Sequence, residues 1–126
     1  MLVLTMAAVV LLSACAQRIG ASVSDPVTFM GAKTRLIARD MVQVTASVAH
    51  PVAGAATAYA DCVAAQYALI RGMSHASRVT STTTGQADIV SEKTTYLVSS
   101  VAPDGKNVLN AQEIVTRCKA NNVPTV

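Results

Sequence analysis

The stretch MVQVTASVA, residues 41–49, fits two different periods, and the expected fold class depends on which of them the chain follows. Its apolar residues alternate with polar ones, which is typical of a half-buried strand. It also continues a longer run in which apolar residues from Phe29 to Val44 recur at steps of three and four, as on one face of a helix. We predict a helix that runs to about Ser47, and a strand at residues 41–49 is the alternative.

The residues around this run are consistent with a helix that has defined ends. Asp25 can cap free backbone amides, and Pro26 suits the first helical turn. His50 and Pro51 then end the helix, because a residue before proline is disfavoured in the helical conformation. A second helix is predicted over residues 52–71, where apolar residues recur at helical spacing and place Cys62 on the buried side.

The middle of the chain gives weaker signals. Residues 74–86 are rich in Ser and Thr, which compete for backbone hydrogen bonds, so we expect a loop, with a continuous frayed helix as the alternative. Residues 88–101 fit a helix through Ile89, Leu97 and Val101, although TTYLVSSV has strand propensity and precedes a turn signal. We favour a helix for this segment and keep the strand as the alternative.

The last element has the clearest signal. Asn110 and Glu113 form a capping-box pattern, Ile114, Val115 and Cys118 share one face, and Pro124 follows the end of the predicted helix. The expected fold class is therefore mainly α, a small single domain of three to four helices over residues 25–126.

The N-terminus carries a motif with a known family resemblance. Residues 2–12 are apolar but cover only about 16 Å as a helix, too short to span a membrane and typical of the apolar region of a signal peptide. The sequence Leu12-Ser13-Ala14-Cys15 that follows resembles the lipobox of bacterial lipoproteins. In that family the cysteine thiol accepts a lipid and the chain is cleaved just before it.

This resemblance implies a division of the chain and a location. Residues 1–14 would be a signal peptide, Cys15 the lipidation site, and residues 15–24 a short tether to the folded domain. Three acyl chains would hold the mature protein permanently at a membrane. Ala16, in place of the aspartate that retains family members at the inner membrane, implies the outer membrane, facing the periplasm. Since a signal peptide normally opens with positive charge and Arg18 is the first basic residue, we expect the true start to lie upstream, with inefficient export as the alternative.

The same resemblance changes how the cysteines are counted. With Cys15 assigned to the lipid, Cys62 and Cys118 are an even pair in an oxidising compartment, where disulfides form. We therefore predict a disulfide between two helices, worth about 4 kcal/mol in the chain-entropy model. Free thiols and a metal site are the alternatives, although the sequence has no CxxC pair and neither histidine lies at a ligand spacing from a cysteine.

The search for reactive groups yields no catalytic residue. The carboxylates are too scattered to suggest an acid and a base, and the common hydrolase, metalloprotease and phosphate-binding motifs are missing. Met73 and His75 could bind copper, and Tyr59 and Tyr67 could form a ligand-binding face, but unexceptional loop and core roles are the preferred interpretations. We predict no cofactor, no metal, no small-molecule substrate and no enzymatic activity.

The charge of the chain limits its partners. The net charge is +3, its basic residues form no run, and the sequence has three Tyr, one Phe and no Trp, which argues against nucleic-acid binding. The expected function is that of a small lipid-anchored envelope protein that acts as a structural or binding module. Its partners would be the membrane and another envelope protein or peptidoglycan. The alternative is a lipoprotein that blocks an incoming enzyme, phage or plasmid.

Overall fold

The computed structural model describes residues 26–125, and the predicted signal peptide, Cys15 and the tether lie outside this range. One five-stranded antiparallel sheet has the order β1-β2-β4-β3-β5. In chain order the elements are β1 (Thr28–Ala38), β2 (Met41–Ala49), α1 (Ala55–Ile70), β3 (His75–Gln86), β4 (Ile89–Ser99), β5 (Val108–Asn110) and α2 (Ala111–Ala120). Helix α1 connects β2 to β3 while β4 lies between these two strands, which makes a split β-α-β unit.

The predicted helix over residues 25–47 is wrong, because β1 and β2 form a hairpin there. In β2 the alternation was the correct signal, since Val42, Val44, Ala46 and Val48 are fully buried. In β1 two register shifts, next to Gly31 and next to Ala38, add residues to the strand and convert a two-residue period into steps of three and four. Gly31 has a φ of 114°, which favours glycine at this bulge.

The second half of the chain corrects the prediction further. Residues 74–86, expected as a loop, form β3, and the segment 88–101, for which we favoured a helix, forms β4. These strands lack hydrophobic alternation because several of their positions facing the helices are polar, among them Ser81, Glu92 and Thr94. The mainly α fold class is therefore wrong: most of the regular structure is antiparallel sheet, and residues 26–125 contain two helices.

Two predicted helices are present at close to their predicted positions. Helix α1 presents Cys62 on its buried side, as expected. Helix α2 begins after Asn110, whose side chain accepts a hydrogen bond from the Glu113 backbone amide at 3.0 Å, as the capping-box pattern predicts. Capping signals depend on a few adjacent residues, which explains why they are readable without knowledge of the tertiary structure.

The hydrophobic core lies between α1 and one side of the sheet, which we call the inner face. Helix α1 contributes many small side chains, and Ala60, Ala64 and Ala68 are fully buried. Such small residues allow the helix to approach the strands closely. Tyr59 supplies bulk at the margin and makes an edge-to-face contact with Phe29, with ring centroids 5.1 Å apart.

The disulfide predicted between Cys62 and Cys118 is present and joins α1 to α2, with 6.0 Å between the Cα atoms. Helix α2 also packs on α1 through Val115, which is 3% exposed. Neither helix in residues 26–125 has the length and hydrophobicity that a membrane span requires.

Candidate functional site

A cluster of hydrogen-bonded polar side chains lies between α1 and the inner face, where the neighbouring positions are apolar. Each member comes from α1, β3 or β4, and several are almost fully buried. We call this set the polar cluster; it consists of Thr57, Asp61, Arg78, Ser81, Glu92, Thr94 and Tyr96. Because buried polar groups are costly unless they are paired, the cluster is the first place to look for function.

Asp61 is the centre of one half of the cluster. Its Oδ1 accepts hydrogen bonds from the Tyr96 hydroxyl at 2.7 Å and from Arg78 Nε at 2.8 Å. Arg78 Nη2 also pairs with Oδ2, so the guanidinium binds the carboxylate through two nitrogens. The Arg78 side chain is 30% exposed and that of Asp61 is 11% exposed, so solvent reaches the pair mainly from the arginine side.

The two partners of Asp61 both hold their protons firmly. Burial, followed by the negative charge of Asp61, raises the pKa of the Tyr96 phenol well above its usual value. The hydrogen bonds to Asp61 outweigh desolvation and raise the pKa of Arg78 above its usual value. Tyr96 is therefore a hydrogen-bond donor at neutral pH and Arg78 a permanent cation, and neither acts as a general base there.

Glu92 is the centre of the other half, and hydroxyl groups surround it. Its Oε1 accepts from Ser81 at 2.8 Å and from Thr94 at 3.1 Å, and its Oε2 accepts from Thr57 at 2.5 Å. Glu92 is 4% exposed, and no ion pair within residues 26–125 involves it. Three neutral hydroxyl donors thus surround Glu92, whereas the cationic Arg78 binds Asp61.

The arrangement joins α1 to the two strands beneath it. Thr57 and Asp61 are one helical turn apart, so each directs a polar side chain down to the same side of the helix. Thr57 contacts β4 through Glu92, and Asp61 contacts β3 and β4 through Arg78 and Tyr96. Chemically, the cluster positions donors around two carboxylates that are part of the core, which fixes the helix on the sheet.

A small cavity adjoins this cluster between the two helices. It has a volume of about 120 Å³ and is lined by Asp61, Arg117 and the disulfide cysteines, among others. Ligand pockets are usually several hundred Å³. The space has room for a few water molecules or a very small ligand.

The other residues considered from the sequence are not brought together. His75 is the first residue of β3, where its Nδ1 lies 2.8 Å from the Ser74 hydroxyl. Within residues 26–125, no group of three or more His, Cys, Asp or Glu side chains is placed to hold a metal ion. Tyr59 is 4% exposed and belongs to the core, while the Tyr67 hydroxyl accepts a hydrogen bond from Arg71 at 2.8 Å. His50 has a φ of 52° at the end of β2.

The polar cluster was not predicted from the sequence. One local signal was available: Thr57 and Asp61 interrupt an alanine-rich apolar helix at a spacing of four residues. Their partners lie far away in sequence, since 17 residues separate Asp61 from Arg78 and 35 separate it from Tyr96. Treating residues 74–101 as a loop and a helix hid these pairings, because only strands place Arg78 opposite Tyr96.

The fold and the site together define a small disulfide-linked α+β domain, in which α1 covers one side of an antiparallel sheet, α2 packs on α1, and buried carboxylates join α1 to the strands. The family model for the YNQ4 C-terminal domain matches residues 29–122, and the chain therefore belongs to that family. The matched range contains the whole polar cluster and both disulfide cysteines, whereas Cys15 precedes it. The comparisons with curated proteins and with solved structures found no match.

Proposed function

We propose that this protein is a lipid-anchored envelope protein whose folded domain acts as a structural or binding module. The observation that carries the proposal is the distribution of the cysteines. Cys62 and Cys118 are joined in a disulfide, which is typical of an oxidising compartment. The third cysteine, Cys15, is the one that follows an apolar segment in a lipobox-like sequence.

The chemistry of the polar cluster supports a role without catalysis. Asp61 and Glu92 accept hydrogen bonds from side chains fixed in the core, and the raised pKa of Tyr96 keeps its phenol protonated. A catalytic acid or base must instead exchange a proton near the working pH. On this proposal the domain presents its outer surfaces to a partner, and the partners are the membrane and another envelope protein or peptidoglycan. Ala16 favours the outer membrane, with the domain facing the periplasm.

Replacement of Cys15 by serine tests the anchor. The full chain would be expressed in a bacterium with labelled palmitate, and incorporation of label and membrane fractionation would be measured. We expect wild type to carry label and to fractionate with membranes, and Cys15→Ser to carry none and to appear as precursor or soluble protein. Ser13→Ala, which keeps a small residue before the cleavage site, is the matched control and should retain the label. Equal labelling of wild type and Cys15→Ser would contradict the proposal.

A further inference from the structure

The side of the sheet opposite α1, which we call the outer face, has a charge distribution unlike that of the inner face. One row across four strands is Lys33, Thr45, Lys93 and Thr82, in register from β1 through β2 and β4 to β3. Lys33, Thr82 and Lys93 are exposed and Thr45 is half-buried. Since neighbouring strands are about 4.8 Å apart, the two lysine backbones lie about 10 Å apart.

The adjacent rows extend this pattern. On one side, Arg35 is in register with Gln43, which pairs in turn with Thr95 and then Thr80. On the other side, the hydroxyls of Ser47 and Ser91 lie 2.7 Å apart, and Thr84 is next to Ser91 in register. The outer face is therefore a broad surface of hydroxyl and cationic groups.

Strands β1 to β4 supply no acidic side chain to this face to balance these cations. Strands β1 to β4 are fully described and contain one acidic residue, Glu92, which is buried in the polar cluster on the inner face. Within residues 26–125, no ion pair involves Lys33, Arg35 or Lys93. The face thus offers three cations and many hydroxyl donors to an anionic partner.

We propose that the outer face lies against the anionic phospholipid headgroups of the membrane that holds the protein. This inference rests on the proposed lipid anchor. Four adjacent strands present an extended surface, which matches the surface of a bilayer, and hydroxyl donors with cations suit phosphate oxygens. The tether of the proposed anchor joins the domain just before β1, the strand that carries Lys33 and Arg35. Leu97, which is 37% exposed in the next row, adds an apolar contact.

The size of the effect defines what this contact does. One Lys or Arg near an anionic surface contributes roughly a fivefold preference, so three together contribute about a hundredfold. That is too little to hold a free protein, because even a myristoyl chain, at about 10⁴ M⁻¹, binds marginally. For a domain already tethered, the same hundredfold preference selects an orientation. The outer face turns to the bilayer, and the helices and disulfide turn away from it.

A single tryptophan reports this orientation, because the chain contains none. Thr82→Trp places the reporter beside Lys93 on the outer face, and Gln112→Trp places a matched reporter on the exposed surface of α2. Each full-length variant would be reconstituted into vesicles that contain brominated lipid, either phosphatidylcholine alone or phosphatidylcholine with phosphatidylglycerol. Flotation with both kinds of vesicle measures whether the lipid anchor holds the protein on the vesicle. Failure of the anchor is therefore distinguished from a negative quenching result.

We expect severalfold stronger quenching at position 82 than at position 112 in the anionic vesicles, and nearly equal quenching in the neutral ones. Lys33→Gln with Lys93→Gln should lower the orientational preference from about a hundredfold to the roughly fivefold that Arg35 alone contributes, and the difference in quenching should narrow accordingly. The control pair Arg117→Gln with Lys119→Gln removes the same charge from α2 and should leave the difference intact. High salt screens the charges and should abolish the difference between positions 82 and 112 when both lysines are present. This measurement tests the same contact without substitutions that change the stability of the fold.

Equal quenching of the two reporters in anionic vesicles would overturn the proposal. So would loss of the difference with the α2 pair, because the effect would then follow net charge alone. Preferential quenching of position 82 in neutral vesicles, unaffected by the lysine pair, would also overturn it and indicate an apolar contact. Release of position 82 from quenching when soluble peptidoglycan fragments are added would show that a glycan occupies this face instead.

Discussion

The two faces of the sheet share the same backbone but differ in the burial and charge of their side chains. On the inner face, Val42, Val44 and Tyr96 are fully buried under α1, and both carboxylates of the polar cluster have assigned partners. The neighbouring residues along the same strands point to the outer face. There Lys93 is exposed and Thr45 is half-buried. The buried and hydrogen-bonded side chains therefore lie on one side of these strands, and the other side is polar and more exposed to solvent. Paired substitutions on the two faces test this difference.

Removal of the disulfide should have the largest effect. The double variant Cys62→Ala with Cys118→Ala releases a cross-link across a sequence separation of 56 residues. In the chain-entropy model this lowers the free energy of unfolding by about 4 kcal/mol. Urea unfolding of the oxidised wild type and the double variant measures the difference. If the free energy of unfolding falls by less than about 1 kcal/mol, the packing of α2 on α1 holds the helix in place without the cross-link.

Loss of the Asp61 counter-ion should have the next largest effect. Arg78→Met leaves the carboxylate of Asp61 buried without its counter-ion, while the Tyr96 hydroxyl still donates a hydrogen bond to it. The free energy of unfolding should fall by about 3 kcal/mol, at the lower end for broken buried pairs because the Arg78 side chain is 30% exposed. Arg35→Met makes the same chemical change on the outer face and should cost at most about 0.5 kcal/mol. Equal losses in urea unfolding would contradict the division between the faces.

Removal of one hydroxyl should have the smallest effect and a pH signature. Tyr96→Phe deletes the 2.7 Å hydrogen bond to Asp61, which should cost about 1.5 kcal/mol near neutral pH. Because the folded-state pKa of Tyr96 is raised, its contribution is complete below the unfolded pKa of about 10 and is lost as pH rises through the folded pKa.

Unfolding free energies measured across alkaline pH check the sign of this effect. Above about pH 10, wild-type stability should fall with a contribution from Tyr96 of up to about 1.4 kcal/mol per pH unit. Tyr96→Phe should fall less steeply, but not be flat, because burial also raises the pKa of Tyr59. Tyr67→Phe, which removes a hydroxyl outside the polar cluster, is the matched control, and an equal change of slope in it would show that the effect is not specific to Tyr96. If the unfolding free energy of Tyr96→Phe falls with pH as steeply as that of wild type, the pKa of Tyr96 is not raised in the folded protein.

The sequence predicted the features that depend on neighbouring residues. The Asn110 cap of α2, the buried side of α1 and the pairing of Cys62 with Cys118 all follow from local patterns or from counting. It failed where tertiary structure overrides the local period. The register shift beside Gly31 gave β1 a helical spacing, and Glu92 and Thr94 removed the hydrophobic alternation from β4.

The polar cluster could not be predicted from the sequence, because it also depends on tertiary structure. Arg78 and Tyr96 meet only because β3 and β4 pair in one particular register, next to a bulge between Arg78 and Thr80. The outer-face row of Lys33 and Lys93 likewise depends on β2 lying between β1 and β4. Strand order is a long-range property, and the apolar pattern along one segment does not encode it.

The bond between Cys62 and Cys118 also determines what a single proteolytic cut does to the chain. It closes a loop that includes the whole β3–β4 hairpin and the segment 100–107, where Val101 is 74% exposed. A protease that cuts the main chain once in that segment therefore leaves two fragments that are still covalently joined. The nicked molecule keeps its mass on a gel without reductant and separates into two bands with it. Such a chain tolerates one proteolytic cut without losing either part.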